Sequence, residues 1–509
     1  MDIQRKFYVG IDVGTTNAKC VIINDLMKVV AKNSIEYSIS SPQPGWAEQS
    51  PDMWWDTVWQ LCKEVIGKFE YKQGICKIGV SGQMHGLVTL DSNLKVIRPA
   101  ILWNDQRSAD ESKEIIQLAG GEEALLDFTN NNMLTGYTGS KIYWLQKHEQ
   151  ENSGRIHKIV MPKDYIRYKL TGEIFTDVTD ASGTGLFNVK ERCWSTELLS
   201  KIGIPIEWLP KVINSTDQSG VLKPELAEQL GLKKNIPIIA GAGDAVIQPL
   251  GSGILDTSEG LLVIGTGGNV TIHSPEFKYN SEGRLQFFCG VLPNSYVAIG
   301  VTLSAGGSLK WFRDLLKERV NPADNENYLT YQELDSLAKE SPVGANGLLF
   351  LPYLSGERCP HPDEYARGAF IGINTQTSIS DMVRGVMEGI CYSLKDITKL
   401  MDQAGFVSET YCLSGGGADS ELWKQILADV FDCKITTVAT SSEGSAFGVA
   451  ILAGMADKAW SRPVQIKEGI PTVTTNDPST EDKEKYSRMF SIYQKGYPQL
   501  KAIFHELNT

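Results

Sequence analysis

Three times in this 509-residue chain, a short apolar stretch runs straight into a turn of glycines and small hydroxyl residues. Phe7 to Val13 reads as a buried strand, leads into Gly14-Thr15-Thr16-Asn17, and is followed by a second strand from Lys19 to Ile23. Gly260 to Ile264 leads into Gly265-Thr266-Gly267-Gly268-Asn269 and then a strand from Val270 to His273. Thr410 to Leu413 leads into Ser414-Gly415-Gly416-Gly417-Ala418, then a helix with Leu422, Trp423, Ile426, Leu427 and Val430 on one face. Glycine permits positive φ and close backbone approach, so consecutive amides can converge on an anion. Three such turns, each directly after a strand, point to a nucleotide. The chain has no Gly-x-x-x-x-Gly-Lys-Ser/Thr loop and no complete Gly-x-Gly-x-x-Gly, which argues against a P-loop NTPase and an ordinary dinucleotide enzyme.

The second turn repeats the strand, turn, strand device of the first. That repetition predicts a duplicated core, with one domain over 1–254 and another over 255–509. The length agrees, since about 150 residues per domain gives two large domains or three average ones. Further strands are expected at Ile75–Val80 and Ile236–Ala240, and an amphipathic helix at Met53–Phe69, where Trp55, Val58, Trp59, Cys62 and Ile66 recur at helical spacing. Trp54, Trp55 and Trp59 read mostly as core. Strands alternating with helices define an α/β class.

Composition removes several function classes. The 61 acidic residues outnumber the 49 basic ones, a formal net charge of −12, so no nucleic-acid partner is expected. The nine cysteines include no Cys-x-x-Cys pair and the six histidines no His-x-x-x-His pair, which predicts reduced thiols, no zinc or histidine metal site, and a cytoplasmic protein. No apolar run approaches 18 residues, so no membrane span is expected. The charged start, Met1 to Lys6, leads into a strand pattern rather than a signal core.

The turns also carry chemistry. Asp12 sits at a strand end beside the amides and hydroxyls of Gly14, Thr15 and Thr16. A carboxylate beside a phosphate cradle makes sense as a water-mediated Mg²⁺ contact, although a plain hairpin with an Asp turn has the same pattern. Asp244, in Gly241-Ala242-Gly243-Asp244 after an apolar strand, is placed either to accept a proton from an attacking hydroxyl or to cap a helix. Met84 and His85, in Ser81-Gly82-Gln83-Met84-His85-Gly86, read as a polar-plus-apolar contact pair or as structural residues. Trp103-Asn104-Asp105-Gln106-Arg107 offers a ring for a sugar face and polar groups for its hydroxyls, or an exposed loop anchored by its Trp.

Together these turns resemble the FGGY carbohydrate kinases, on the actin-like ATPase fold. The resemblance runs from Ile11-Asp12-Val13-Gly14-Thr15-Thr16 to Ser445-Ala446-Phe447-Gly448-Val449-Ala450. The segments from Gly136 to Leu145 and from Gly368 to Glu388 resemble the family's two signatures. Gln83-Met84-His85-Gly86, Ile101-Leu102-Trp103-Asn104-Asp105, Met161-Pro162-Lys163-Asp164-Tyr165 and Leu354-Ser355-Gly356-Glu357-Arg358 are most similar to the xylulokinase subfamily. The resemblance implies two ribonuclease-H-like domains around a central cleft that holds ATP and sugar. It implies ATP-dependent phosphorylation of a ketopentose, D-xylulose to D-xylulose 5-phosphate, with Mg²⁺. Asp244 would be the catalytic base and Asp12 the metal-linked acid. Gly14, Thr15 and Thr16 would form the first phosphate hairpin, and Thr266, Gly267 and Gly268 the second. Gly416 and Gly417 would line the adenosine pocket, with Gly306 and Lys310 near the nucleotide. Met84, His85, Trp103, Asn104 and Asp244 would hold the sugar.

One position departs from the subfamily. The catalytic Asp is usually followed by Asn, and here by Ala245, which removes one partner for a sugar hydroxyl. Gluconate, ribulose or another polyol is the alternative acceptor. An actin-like structural or chaperone ATPase is the alternative of a different class; it would share the hairpins but would have no reason to carry Asp244 and the Met84–His85 pair. Nothing in the sequence excludes a homodimer.

Overall fold

The apolar run at Phe7–Val13 forms β1, buried along almost its whole length, as befits a central strand covered on both faces. The structure is a computed structural model that describes residues 5–317, 329–440, 443–460 and 462–508; Met1–Gln4 of the charged start lie outside the described residues. β2 (Asn17–Asn24) pairs antiparallel with β1, and β3 (Val29–Glu36) pairs antiparallel with β2. α1 (Pro51–Cys62) opens on Ser50, whose side chain accepts from the Met53 N–H, with Pro51 at its first position. A π-helical turn continues it over Lys63–Gly67. Trp54 is fully buried under it, while Trp55 and Trp59 stack on each other at 5.6 Å.

β4 (Ile75–Gly82) lies parallel to β1 on the side away from β2. β5 (Gln218–Val221) and β6 (Pro237–Ile239) complete the order β5-β6-β4-β1-β2-β3, and the short β7 (Ala242–Gly243) also pairs with β4. These strands belong to a compact unit made of Met1–Leu255, Ser274–Val297 and Glu443–Ile470. Its last segment supplies the helix Gly444–Ala456, which packs on β1, on β4 and on the helix that starts at Asp244. The approach is so close that a Cβ on Gly10 would collide with the Ala446 carbonyl.

The second unit consists of Asp256–His273, Ala298–Ser442 and Pro471–Thr509. β8 (Glu259–Ile264) and β9 (Gly268–Ser274) form an antiparallel hairpin flanked by β10 (Tyr296–Thr302). β11 (Thr410–Ser414) lies parallel to β8, β12 (Lys434–Val438) parallel to β11, and β13 (Thr472–Asn476) antiparallel to β12. The order β10-β9-β8-β11-β12-β13 repeats the order β3-β2-β1-β4-β6-β5 of the first unit. The expected duplicated core is thus a duplicated strand order, with a hairpin and a parallel neighbour at the same place in each sheet.

Candidate active site

In the first unit, one strand end organises the site. Ser81 near the end of β4 pairs with Asp12 of β1 on one side and with Ala242 of β7 on the other. Adjacent strands are spaced about 4.8 Å apart, so Asp12 and the peptide leading to Asp244 flank β4 at its carboxyl end, where open α/β sheets present ligands. Gly243 precedes the helix α2 (Asp244–Gly251), and Asp244 is its first residue, so the cap position falls to Gly243 rather than to Asp244. The Asp244 carboxylate accepts from the main-chain N–H groups of Ala245, at 2.7 Å, and of Met84.

Burial pushes the Asp244 carboxyl up to about 7, and the charge of Asp12 adds to the rise. Burial likewise pushes Asp12 up to about 6. Asp12 Oδ1 has no hydrogen-bond partner among the described residues. A buried carboxylate oxygen without a donor fits a hydrated Mg²⁺ ion, whose remaining ligands would be water and phosphate oxygens.

His85 takes the left-handed conformation, φ +65°, which is uncommon for a residue with a side chain. Several groups over-determine it. Its carbonyl accepts from Thr138 Oγ1 at 3.0 Å and from Lys141 Nζ at 3.0 Å. Its ring stacks on Tyr137 at 4.7 Å, and Nδ1 donates to the Gly183 carbonyl at 2.5 Å. Because a carbonyl can only accept, that bond places a proton on Nδ1. Met84 is buried and fills the space where side chains at Gly183 and Gly243 would lie: Cβ atoms there would sit 2.9 Å from Met84 Cε and 2.5 Å from Met84 Cγ. Its side chain therefore packs behind Asp244, and its N–H reaches the carboxylate.

The first hairpin turn joins this group. The Gly14 N–H donates to the Asn17 carbonyl at 3.0 Å, and Thr16 is exposed. Thr15 Oγ1 accepts from the indole of half-exposed Trp103 at 2.9 Å, and the Thr15 carbonyl accepts from Gln49 Nε2 at 2.8 Å. Gln49 is itself held by Trp54 and Gln83. Asn104 Oδ1 is buried with no partner among the described residues. The sequence patterns did not reveal Gln49, whose role depends on three distant segments meeting.

In the second unit, the turns after β8 and β11 lie side by side because those strands pair in register, Val263 opposite Ser414. Gly415 adopts φ +84°, and a side chain there would strike the Ile264 carbonyl at 2.5 Å. The Thr266 carbonyl accepts from the N–H groups of Ala305 and Gly307, both at 2.9 Å, which fixes the start of α3 (Gly306–Lys317) against the hairpin. These segments line a cavity of about 320 Å³ that includes Thr266, Gly306, Lys310, Gly416 and Gly417. Gly267 and Gly268 pack instead against the Thr302–Ala305 segment. Lys310 pairs with Asp314 at 2.7 Å. The cavity wall also holds Tyr331, Asp335, Asp419 and Trp423, of which the sequence pattern marked only Trp423, and that as part of one helix face.

Comparison with known proteins identifies the family. Residues 7–251 match the N-terminal domain of the FGGY family of carbohydrate kinases, and residues 256–456 match its C-terminal domain. The chain belongs to that family: it is a sugar kinase of the actin-like ATPase fold. It is 37% identical to the xylulose kinase of Staphylococcus xylosus over 96% of this chain and 99% of that one. The ligand-bound xylulose kinase of Lactobacillus acidophilus superposes with a TM-score of 0.92 at 27% identity, covering 99% and 100% of the two chains. The gluconate kinase of the same organism superposes with a TM-score of 0.90, also at 27% identity and the same coverage. Among the described residues no helix is long and apolar enough to cross a membrane.

Proposed function

We propose that the protein transfers the γ-phosphoryl group of ATP to D-xylulose, giving D-xylulose 5-phosphate and ADP, with Asp244 as general base. The observation that carries this reading is the convergence of Asp12, Asp244 and the Met84–His85 pair on one strand end, in a chain whose relatives over nearly full length are xylulose kinases. With its carboxyl raised to about 7, Asp244 is near the proton affinity that suits a base at neutral pH. It takes the proton of the attacking hydroxyl as that oxygen bonds to the γ-phosphorus and the bond to the bridging oxygen of ADP breaks. The imidazole of His85, held through Nδ1, and the Trp103 ring orient the sugar, and Asn104 supplies an amide. The second-unit cavity receives the nucleotide against Gly416, with Thr266 and Gly306 toward the phosphates. Mg²⁺, held through Asp12, would offset the charge of the transferred phosphoryl group. An ADP-release assay over D-xylulose, D-ribulose, gluconate and simple polyols tests the acceptor. D-xylulose should give the highest kcat/KM. Robust turnover of gluconate or a polyol with none of any pentulose would overturn D-xylulose while leaving the kinase intact.

A further inference from the structure

The motif Met161 to Tyr165 acquires a role from its neighbours. Lys163, Asp164, Arg167, Asp177 and Asp180 lie together, each no more than 1% exposed. Lys163 Nζ reaches Asp164 at 2.6 Å, Asp177 at 2.8 Å and Asp180 at 3.1 Å, and Arg167 reaches Asp164 at 3.0 Å. Removing so many ions from water is costly, and a buried ionic cluster is poor support for a purely stabilising role. What this cluster does hold is one turn. Arg167 Nη1 donates to the Ala240 carbonyl at 2.9 Å. The Gly241 N–H donates to the Ser215 carbonyl at 3.0 Å, and the Ser215 hydroxyl donates to Asp177 at 2.7 Å. The Thr179 hydroxyl also donates to Asp177, at 2.7 Å, so its oxygen is the acceptor for the Gly243 N–H at 3.0 Å. The residue after Gly243 is Asp244. On the far side, Ser445 Oγ donates to the Asp244 carbonyl at 3.1 Å.

We propose that Thr179 is a positioning residue for the reaction: anchored by Asp177 and Lys163, its hydroxyl fixes the Gly243 peptide and thereby aims the Asp244 carboxylate at the acceptor hydroxyl. This rests on the reading of Asp244 as base. A reacting group displaced by about 1 Å costs on the order of 100-fold in rate, while the binding surfaces for sugar and nucleotide stay in place. The anchor therefore acts on kcat rather than on either KM.

Kinetics of Thr179→Val, Thr179→Ser and Asp244→Asn, with MgATP and the best acceptor of the panel above, test the proposal. Thr179→Val should lower kcat by about 10- to 100-fold. Both KM values should stay within about threefold, and Thr179→Ser should restore kcat to a similar margin. The acid limb of the kcat–pH profile should also move in Thr179→Val, because the carboxylate changes surroundings. A Thr179→Val enzyme with wild-type kcat overturns the proposal. So does a loss that Thr179→Ser shares, or a parallel rise in both KM values. If Thr179→Val does not fold by circular dichroism, Ser215→Ala removes the other hydroxyl on the same Asp177 oxygen. A fall in its kcat at unchanged melting temperature then supports the proposal, and an unchanged kcat overturns it. Wild-type turnover in Asp244→Asn would instead remove the base assignment, whatever Thr179 does.

Discussion

The ammonium of Lys141, fully buried, donates to the main-chain carbonyl of His85 at 3.0 Å and to that of Gly136 at 2.7 Å. The contact pins a left-handed histidine through its backbone. Lys141→Met keeps most of the packing and loses both hydrogen bonds. The KM for sugar should rise about tenfold with the KM for MgATP unchanged, since freeing a strained residue costs about 1–3 kcal/mol of preorganisation. Burial also pushes Lys141 down to about 7. The folded protein then binds fewer protons than the unfolded chain between that value and the usual 10.5 of lysine, so stability rises with pH across that window. Urea unfolding of wild type and Lys141→Met from pH 7 to 10 should show the slope in wild type and its loss in the variant.

Asp244→Asn should lose about 10²–10⁴-fold in kcat while calorimetric binding of sugar and of MgATP changes little. In wild type, kcat/KM should fall as pH drops through about 7, where an ordinary aspartate would hold activity to near 4. Near-wild-type turnover in the variant, or an acid limb near 4, contradicts the assignment.

Asp12 bears on the same titration, because its charge helps raise Asp244. Asp12→Asn should shift the acid limb to lower pH and weaken MgATP use more than sugar binding. Separate calorimetric titrations of the two ligands check this; equal losses for both would indicate general unfolding.

Gly416 and Gly417 are neighbours with opposite expectations. A Cβ on Gly416 meets nothing within 4 Å and points into open space, whereas one on Gly417 would lie 2.7 Å from Ile264 Cβ. Gly416→Val should raise the KM for ATP at least about tenfold, by occupying ligand space, with an unchanged melting temperature. Gly417→Val should destabilise the protein by about 1–3 kcal/mol, the usual cost of overpacking. Differential scanning calorimetry with ATP kinetics on both variants separates the two effects.

Ala245 lies in the first turn of α2 and is half-buried beside the Asp244 carboxylate. Ala245→Asn adds an amide whose net hydrogen bond is worth about 1 kcal/mol, so the KM for D-xylulose should change by less than about tenfold. A large gain on D-xylulose with a matching loss on another acceptor would identify that acceptor as the native one.

Local strand patterning was legible from the residues themselves. Phe7–Val13 was readable to the residue because a mostly apolar run bounded by a glycine turn has few alternatives. The helix expected over Met53–Phe69 changes to a π-helical turn at Lys63, a difference of hydrogen-bond register that apolar spacing does not encode. The wall of the second-unit cavity was illegible where it depends on side chains such as Tyr331 and Asp335, which reach it only through tertiary packing. The Lys163–Asp177–Thr179 chain was equally hidden: one segment supplies Lys163 and another, over ten residues on, Asp177 and Thr179, and neither pattern names its partner. The helix Gly444–Ala456 is almost entirely buried, so no polar stripe indicated that it packs against β1.

That helix sets a timetable for synthesis. The strands it covers are complete once Leu255 has been made, yet their cover is encoded about 190 residues further on. At about 5–20 residues per second the ribosome takes roughly 10–40 s to reach it. During that interval β1 and β4 present a bare apolar face around Gly10 and Gly79, and the peptide behind Asp244 lacks its contact from Ser445. A nascent chain stalled after Leu255 would therefore be a client for chaperones, and an expression fragment ending there would aggregate unless the missing helix were supplied as a separate peptide.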